Sequence, residues 1–295
     1  MASRAMADEA MAERVTIYEV SPRDGLQNEA RIIPTEDKVA LVDRLTACGF
    51  SHIEVASFVS PKWVPQMADG AAVLAGIARK PGVTYAALVP NLRGYVAARA
   101  SAATEVAVFA AGSETFSRRN TNVSIAEALD RFAPVAAAAA ADGIGLRGYV
   151  SCVTDCPYEG AIRPDAVAAV TERLFQLGCR EVSLGDTIGR GTPETVARML
   201  QAVLDIAPPD RLAGHFHDTN GQALANVRVA LDYALRVFDA SCGGLGGCPF
   251  APGAAGNVST ERLAACLAEL GYETGLAADA LADAATYARS LRNME

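Results

Sequence analysis

Two histidines stand one residue apart in the segment Gly214-His215-Phe216-His217-Asp218. The apolar run before them predicts a strand. Because side chains on a strand alternate between its two faces, His215 and His217 are expected to point the same way. Two imidazoles on one face at the end of a strand can share one metal ion. The chain has only three His, so this pairing favours a metal site over two unrelated hydrogen-bonded histidines.

Charged residues at other strand ends could complete such a site. Arg23 and Asp24 follow the first predicted strand, although a capped turn would explain this pair equally well. Three more charges interrupt or end apolar strands, namely Glu54, Arg147 and Asp186. Unpaired charges are costly inside a covered sheet, so these residues are expected to form structural ion pairs or to line an active site. Both roles can hold if the pairs orient metal ligands.

A repeated pattern of strand, turn and amphipathic helix must position these residues. The predicted strands are 15–20, 52–56, 84–89, 105–110, 146–151, 181–184, 212–217 and 237–241. The predicted helices lie near 36–48, 66–78, 92–101, 125–141, 165–178, 193–206, 221–235 and 259–270. Eight such α/β units of about 35 residues, with near-continuous apolar strands, predict a parallel sheet closed into a (β/α)₈ barrel. An open doubly wound sheet is the alternative, but no G-x-G-x-x-G fingerprint follows the first strand.

The chain is therefore predicted to be one barrel domain over residues 15–295, preceded by a disordered lead-in, 1–14. One or two helices from about residue 272 would form a short C-terminal helical extension. In such a barrel the active site forms at the carboxyl ends of the strands. After the eighth strand the segment 241–257 is rich in Gly, so it can move or bring its backbone close to a ligand. The alternative is a merely flexible connection.

Composition excludes several classes of function. The net charge of −8 argues against nucleic acid or an anionic membrane as the main partner. Seven Cys form an odd set without C-x-x-C spacing, which argues against a disulfide framework or a structural zinc site and fits a reducing compartment. No apolar run approaches a membrane span. The N-terminus lacks the apolar core of a signal peptide, so a cytoplasmic protein is expected.

Several segments, taken in order, resemble 3-hydroxy-3-methylglutaryl-CoA lyase, a family of metal-dependent TIM-barrel lyases. The resemblance runs from about residue 15 to 287. Its most specific pieces are 21–29, 57–66, 147–152, 183–189, 215–218 and 244–257. Single short motifs would be weak, whereas this ordered set is specific to the family.

The resemblance implies a ligand set and a set of roles. Asp24, His215, His217 and Asn257 should bind a divalent cation, and this mixed set of oxygen and nitrogen donors independently suits Mg²⁺ or Mn²⁺. The residues implied as catalytic are Arg23, Cys248, Asp24, His215, Glu54 and Asp186. Those implied to bind substrate are Arg23, Gln27, Ser57, Arg147, Ser183 and Asn120. Arg23 should stabilise developing oxyanion charge, and Cys248 should be a catalytic thiol.

The implied reaction is cleavage of the C2–C3 bond of 3-hydroxy-3-methylglutaryl-CoA, which gives acetyl-CoA and acetoacetate. Asp24, a histidine or a metal-linked water could be the base. Lys62, Arg118 and Arg119 could contact the CoA phosphates, although solvated surface charges are as good an explanation. A longer 3-hydroxy-3-alkylglutaryl-CoA is an alternative substrate. A Claisen-type synthase, such as isopropylmalate or citramalate synthase, is an alternative activity, and a non-catalytic binding protein is a third reading. A homodimer is expected.

Overall fold

Eight parallel strands form the closed barrel that the sequence predicts. The computed structural model describes residues 12–248 and 251–293, with the side chains of 247, 248, 251–255 and 293 left out. The strands are β1 (Thr16–Glu19), β2 (His52–Ser57), β3 (Thr84–Leu88), β4 (Glu105–Ala111), β5 (Gly145–Ser151), β6 (Glu181–Asp186), β7 (Leu212–Phe216) and β8 (Val237–Ala240). Each pairs with its sequence neighbours, and β1 closes the barrel by pairing with β8. The barrel prediction is therefore confirmed, and every carboxyl strand end opens on one face.

Helices surround the barrel in chain order. They are α1 (Thr35–Cys48), α2 (Gly70–Gly76), α3 (Leu92–Ala100), α4 (Glu114–Thr121), α5 (Ile125–Asp142), α6 (Pro164–Gln176), α7 (Pro193–Leu204), α8 (Ala223–Asp232), α9 (Thr260–Glu269) and α10 (Ala278–Asn293). The predicted second helix, 66–78, was too long at both ends. The prediction missed α4 because its sequence, ETFSRRNT, is short and mostly polar, and therefore shows no apolar stripe.

The C-terminal extension is the single helix α10, which packs against α1. The Tyr287 ring lies under the Arg44 guanidinium, 3.9 Å from ring centre to Cζ. The Tyr287 hydroxyl donates to Asp37 Oδ1 at 3.0 Å. The same helix reaches the turn that follows β8, next to the carboxyl face of the barrel. The extension therefore contacts the end of the barrel where the site residues lie.

The predicted disordered lead-in falls mostly on residues 1–11, which lie outside the described residues. Its last residues contact segments next to β8 and after α9: Arg236 donates to Glu13 at 2.7 Å, and Arg14 forms a β-bridge with Glu273. Across 12–248 and 251–293 no helix combines the length and apolarity needed to cross a bilayer.

Candidate active site

A buried π-helical turn, Ser21–Gly25, presents Arg23 and Asp24 at the carboxyl end of β1. The backbone N–H groups of Arg23, Asp24 and Gly25 all lie within 3.2 Å of the Val20 carbonyl, which makes the turn tight. Gly25 is required here because an added Cβ would stand 2.7 Å from Ser241 Oγ. The segment after β1 is thereby pressed against the segment after β8.

The two histidines of β7 converge with Asp24. His215 Nε2 lies 3.2 Å from His217 Nε2 and 3.9 Å from Asp24 Oδ2. One candidate ligand atom from each of the three residues lies within 4.8 Å of the others, which is close enough to hold one metal ion. The prediction that both imidazoles point the same way is therefore correct.

Backbone pairing brings the fourth predicted ligand to this cluster. Asn257 forms an antiparallel bridge with His217, and Val258 N donates to Phe216 O at 3.2 Å. Asn257 Nδ2 donates to Asp24 Oδ2 at 2.8 Å. Only the amide oxygen of Asn257 can bind a cation. A rotation of the amide group by 180° would exchange Nδ2 and Oδ1 and point the oxygen toward Asp24 and the histidines.

Asp239 orients His215 from below the cluster. The His215 Nδ1 atom lies 3.0 Å from Asp239 Oδ2, so a proton on Nδ1 is held there and the Nε2 lone pair faces Asp24 and His217. Burial lowers the pKa of His215, but Asp239 and Asp24 outweigh this effect and the pKa is raised. Burial and the neighbouring His215 lower the pKa of His217 to about 4, so this ring is neutral at neutral pH. The donor set therefore fits a divalent cation.

Arg23 joins two carboxylates at the barrel mouth. Its Nε donates to Glu54 Oε2 at 2.6 Å, and its Nη1 lies 2.5 Å from Asp24 Oδ1. Burial raises the pKa of Asp24, but the charges around it, chiefly that of Arg23, together have the larger effect and lower the pKa to about 2. Burial prevails at Glu54, whose pKa is raised in spite of Arg23. The Tyr149 hydroxyl also donates to Glu54 Oε2, at 3.1 Å, and among the described residues Glu54 Oε1 has no hydrogen-bond partner.

Two predicted substrate-binding residues lie one layer deeper. Arg147 donates to Asp239 through Nη2 at 2.7 Å and Nη1 at 3.2 Å, and Ser183 Oγ donates to Asp239 Oδ2 at 2.7 Å. Arg147 is also stacked between the rings of Tyr18 and Tyr149, at 4.0 and 4.9 Å. Arg147 and Ser183 therefore hold Asp239, which in turn holds His215, and they are placed for that role rather than for contact with a substrate.

The other predicted residues lie around the mouth. Asp186 is buried at the end of β6, where it accepts from Thr154 Oγ1 at 3.0 Å and Gly191 N at 2.8 Å; it therefore holds loops. Ser57 Oγ is buried at the end of β2, and it has no hydrogen-bond partner within the described part of the chain. Gln27 lines an open groove of about 250 Å³ beside Trp63.

The two remaining site predictions fall on α4 and on the Gly-rich segment. Asn120 lies on α4 beside a small cavity that is also lined by Phe109 and Phe116. The Cys248 backbone belongs to a short strand, Gly247–Cys248, which pairs with Ala251–Ala255. The Cys248 side chain lies outside the described part of the chain.

Sequence reasoning missed Asp239 and Tyr149. Asp239 interrupts the apolar eighth strand, which is the same signal that drew attention to Glu54 in β2. Tyr149 gave no comparable signal, because an aromatic residue in a strand is usually a core residue. Its role is visible only through its contact with Glu54.

Comparisons with known proteins agree with this geometry. The HMGL-like family model matches residues 14–287. The Pseudomonas aeruginosa "3-hydroxy-3-isohexenylglutaryl-CoA/hydroxy-methylglutaryl-CoA lyase" is 56% identical over 274 residues, covering 93% of this chain and 91% of that protein. The cytoplasmic 3-hydroxy-3-methylglutaryl-CoA lyase of Danio rerio is 58% identical over 262 residues, covering 89% and 78%. The crystal structure of the HMG-CoA lyase from Brucella melitensis has a TM-score of 0.95 at 60% identity, covering 96% of this chain and all of that one.

Proposed function

The chain belongs to the HMGL-like family, and we propose that it is a lyase that uses a divalent cation to cleave 3-hydroxy-3-methylglutaryl-CoA into acetyl-CoA and acetoacetate. This proposal rests mainly on one observation: Asp24, His215 and His217 converge at the barrel mouth, next to the Arg23 guanidinium. Relatives named as this lyase are 52–58% identical over most of the chain, which supports the same activity here.

We assign the cation, Mg²⁺ or Mn²⁺, to Asp24, His215, His217 and the Asn257 side-chain oxygen. A cation held there would act as a Lewis acid on substrate oxygens and lower the pKa of the 3-hydroxyl. Asp239 fixes the ring of His215, and the low pKa of Asp24 keeps its carboxylate ionised. Both features suit residues that bind a cation rather than residues that move protons.

We assign proton removal from the 3-hydroxyl to Glu54 in preference to Asp24. Asp24, with its pKa near 2, is a weak base. Burial raises the pKa of Glu54, and no described side chain or backbone group bonds its Oε1, so that carboxylate can accept a proton. As the C2–C3 bond breaks, its electron pair passes to the enolate of acetyl-CoA, and Arg23 offers a fixed positive charge to that oxyanion.

We assign protonation of the enolate carbon to Cys248. The six other cysteines of the chain are buried. Burial raises the pKa of Cys48 to about 11 and that of Cys179 to about 12, so these thiols are unreactive at neutral pH. Substituting Cys248 by Ser should lower turnover far more than it lowers metal affinity.

Binding of the CoA phosphates is proposed for Lys62, Arg118 and Arg119 on loops and α4 at the carboxyl face. Arg119 stacks on the ring of Tyr158 with its Cζ 4.3 Å from the ring centre, and Arg118 pairs with Glu114 at 3.6 Å. An HMG-CoA lyase of 38% identity was crystallised in complex with coenzyme A and 3-methylmalate, which supports an acyl-CoA as the class of ligand.

The deciding experiment measures acetyl-CoA release from 3-hydroxy-3-methylglutaryl-CoA with Mg²⁺ or Mn²⁺ added to protein stripped by a chelator. His215→Ala and His217→Ala should each abolish metal-dependent turnover, a loss of about 10³-fold or more. His52→Ala is the control because this third histidine begins β2 and stacks on Tyr18, at the opposite end of the barrel. No turnover with metal bound would refute the proposal.

Chain length of the substrate is tested in the same assay. One relative is named for a 3-hydroxy-3-isohexenylglutaryl-CoA substrate as well as the methyl compound. The panel therefore includes longer 3-alkyl thioesters, and a preference for one of them would change the substrate while keeping the reaction. Formation of acyl-CoA condensation products with a 2-oxo acid would instead support a synthase. A homodimer and a cytoplasmic location stay predictions.

A further inference from the structure

The segment Ser241–Gly246, here called the loop root, connects β8 to the segment that carries Cys248. It packs directly on the candidate metal site. A Cβ added to Gly246 would lie 2.8 Å from Asn257 Nδ2 and 3.4 Å from the Asp24 carbonyl oxygen, so only Gly fits at this position. The Leu245 carbonyl also lies 3.5 Å from Asn257 Nδ2. A shift of the loop root would therefore displace Asp24 and Asn257.

Three side chains from outside hold the backbone of three consecutive residues in the loop root. Cys242 N donates to Glu19 Oε1 at 3.0 Å. Gly243 N donates to Glu261 Oε2 at 3.0 Å. The Gly244 carbonyl accepts from Arg292 Nη2 at 2.8 Å. The three anchors come from β1, α9 and α10, so the position of this segment depends on elements far apart in sequence.

Arg292 reaches both segments that carry the site. Glu19 does so too, because its Oε1 accepts from Ser21 N at 2.8 Å as well as from Cys242 N. Arg292 Nη2 donates to Gly244, and Arg292 Nε lies 2.9 Å from Glu29 Oε1. Glu29 lies five residues beyond Asp24, and its N–H donates to the Leu26 carbonyl at 3.0 Å. The guanidinium therefore ties the segment after β1 to the segment after β8, next to the site but without contact with the candidate ligands.

Helix α10 brings Arg292 to this position by close packing. A Cβ on Gly243 would lie 3.0 Å from the Ala285 carbonyl oxygen and 3.0 Å from Ala288 Cβ. Gly243 has φ of +69°, which a glycine adopts without strain. The helix thus lies against the loop root itself, and Arg292 is placed one turn beyond that contact.

We propose that Arg292 is a positioning residue of the active site, which fixes the loop root against the segment after β1 and so sets the places of Asp24 and Asn257. The inference rests on the proposed lyase function. Arg292 and Glu29 are only partly buried, with side chains 35% and 18% exposed. Partly exposed pairs contribute little to stability, about 1 kcal/mol or less. A merely structural role would therefore leave turnover unchanged.

The test compares Arg292→Ala with Arg198→Ala, a control on α7 whose side chain is 60% exposed and lies 3.9 Å from Glu194. Arg292→Ala should lower kcat about tenfold, because small displacements of catalytic groups cost one to two orders of magnitude. Arg198→Ala should match the wild type. The melting temperatures of both variants should stay within about 2 °C of the wild type, as for most surface substitutions.

A second readout does not depend on activity. The other six cysteines are buried, so alkylation of the native protein by iodoacetamide, mapped by peptide mass spectrometry, reports on Cys248. Releasing the loop root should raise the alkylation rate at Cys248 by about threefold or more, as local opening becomes easier. Arg198→Ala should leave that rate unchanged.

Equal kcat values in the two Arg variants, or an unchanged alkylation rate in Arg292→Ala, would overturn the proposal. If Arg292→Ala does not fold, Glu29→Gln removes the charge at the other end of the tie, and a wild-type kcat in that variant overturns it equally. Inactive wild-type protein would refute the proposed function instead, so the two failures are distinguishable.

Discussion

Two ion-pair networks lie inside the barrel, and they differ in how fully their polar atoms are used. The inner network consists of Arg147, Asp239, Glu181 and Ser183. Arg147 donates twice to Asp239 and once to Glu181, at 2.8 Å, while Ser183 donates to Asp239. Every side-chain oxygen of Asp239 has a partner, and the side chain is fully buried. Buried charges of this kind are tolerated because they are paired and hydrogen-bonded.

The mouth network consists of Arg23, Asp24 and Glu54, and it is left incomplete. Glu54 Oε1 has no hydrogen-bond partner in residues 12–248 and 251–293 as described, and the Asp24 side chain is 21% exposed. Burial raises the pKa of Glu54, so its charged form is less well stabilised than that of Asp239, whose pKa is lowered in spite of burial. The inner network, in which both carboxylate oxygens of Asp239 are hydrogen-bonded, therefore serves as a scaffold. The mouth network still has polar atoms that can bind a ligand.

The largest effect is expected from breaking the mouth network at Arg23. Arg23→Gln removes the fixed charge that faces the developing oxyanion, so kcat should fall by about 10³-fold, the size measured for loss of such groups. Steady-state kinetics on the metal-loaded enzyme measures this. Arg163→Gln is the control because that side chain is 81% exposed. A kcat within tenfold of the wild type would remove Arg23 from the catalytic machinery.

Breaking the inner network should affect stability first. Arg147→Met leaves Asp239 buried without its cation, which should lower the free energy of unfolding by about 3 kcal/mol. Urea unfolding measures this, with Arg99→Met as the control, since Arg99 pairs with Asp142 while 59% exposed. The kcat of the folded fraction should fall less than in Arg23→Gln. A stable Arg147→Met protein with a larger loss of kcat would reverse the assignment of the two networks.

The barrel and the paired histidines were predictable because both rest on local periodicity. Alternation along 212–217 puts His215 and His217 on one face whatever surrounds them. Closure of the barrel then gathers the carboxyl strand ends, so Asp24 is expected near the pair. The observed 3.9 Å between Asp24 and His215 follows from that topology.

The sequence could not predict which buried charges pair with each other inside the barrel, because the pairing depends on strand register. Arg147 is recognisable in the sequence as a buried charge, yet nothing in the sequence says that Asp239, 92 residues away, is its partner. The same holds for Arg292, a helix-end arginine in the sequence that proves to contact Gly244 and Glu29. Such contacts arise from packing between distant segments, for which a single sequence carries no periodic signal.

The smallest expected effect concerns the pH dependence of stability at Glu54. Its pKa in the folded protein is raised above the ordinary value of 4.5 by burial, against the pull of Arg23. Above pH 4.5 the folded state therefore binds more protons than the unfolded chain, and this carboxyl lowers the free energy of unfolding as the pH rises. Glu54→Gln removes that pH-dependent contribution, so the stability of the variant relative to the wild type should rise by about 1 kcal/mol as the pH goes from 4.5 to 8. At any single pH the variant also loses the pairing with Arg23.

Asp239→Asn provides the matched control of opposite sign. The pKa of Asp239 is lowered by Arg147 and His215 in spite of burial, so this carboxylate adds stability that is present above its ordinary pKa of 3.8 and is lost as the pH falls. The Asn variant should therefore be less stable than the wild type at neutral pH. Urea unfolding of both variants at the two ends of this pH range measures the contrast. The stability difference for Asp239→Asn should stay constant over this range, because its carboxylate is ionised throughout. If the difference for Glu54→Gln were equally constant, the mouth carboxylate would be as well satisfied as the inner one, and the distinction between scaffold and binding network would fail.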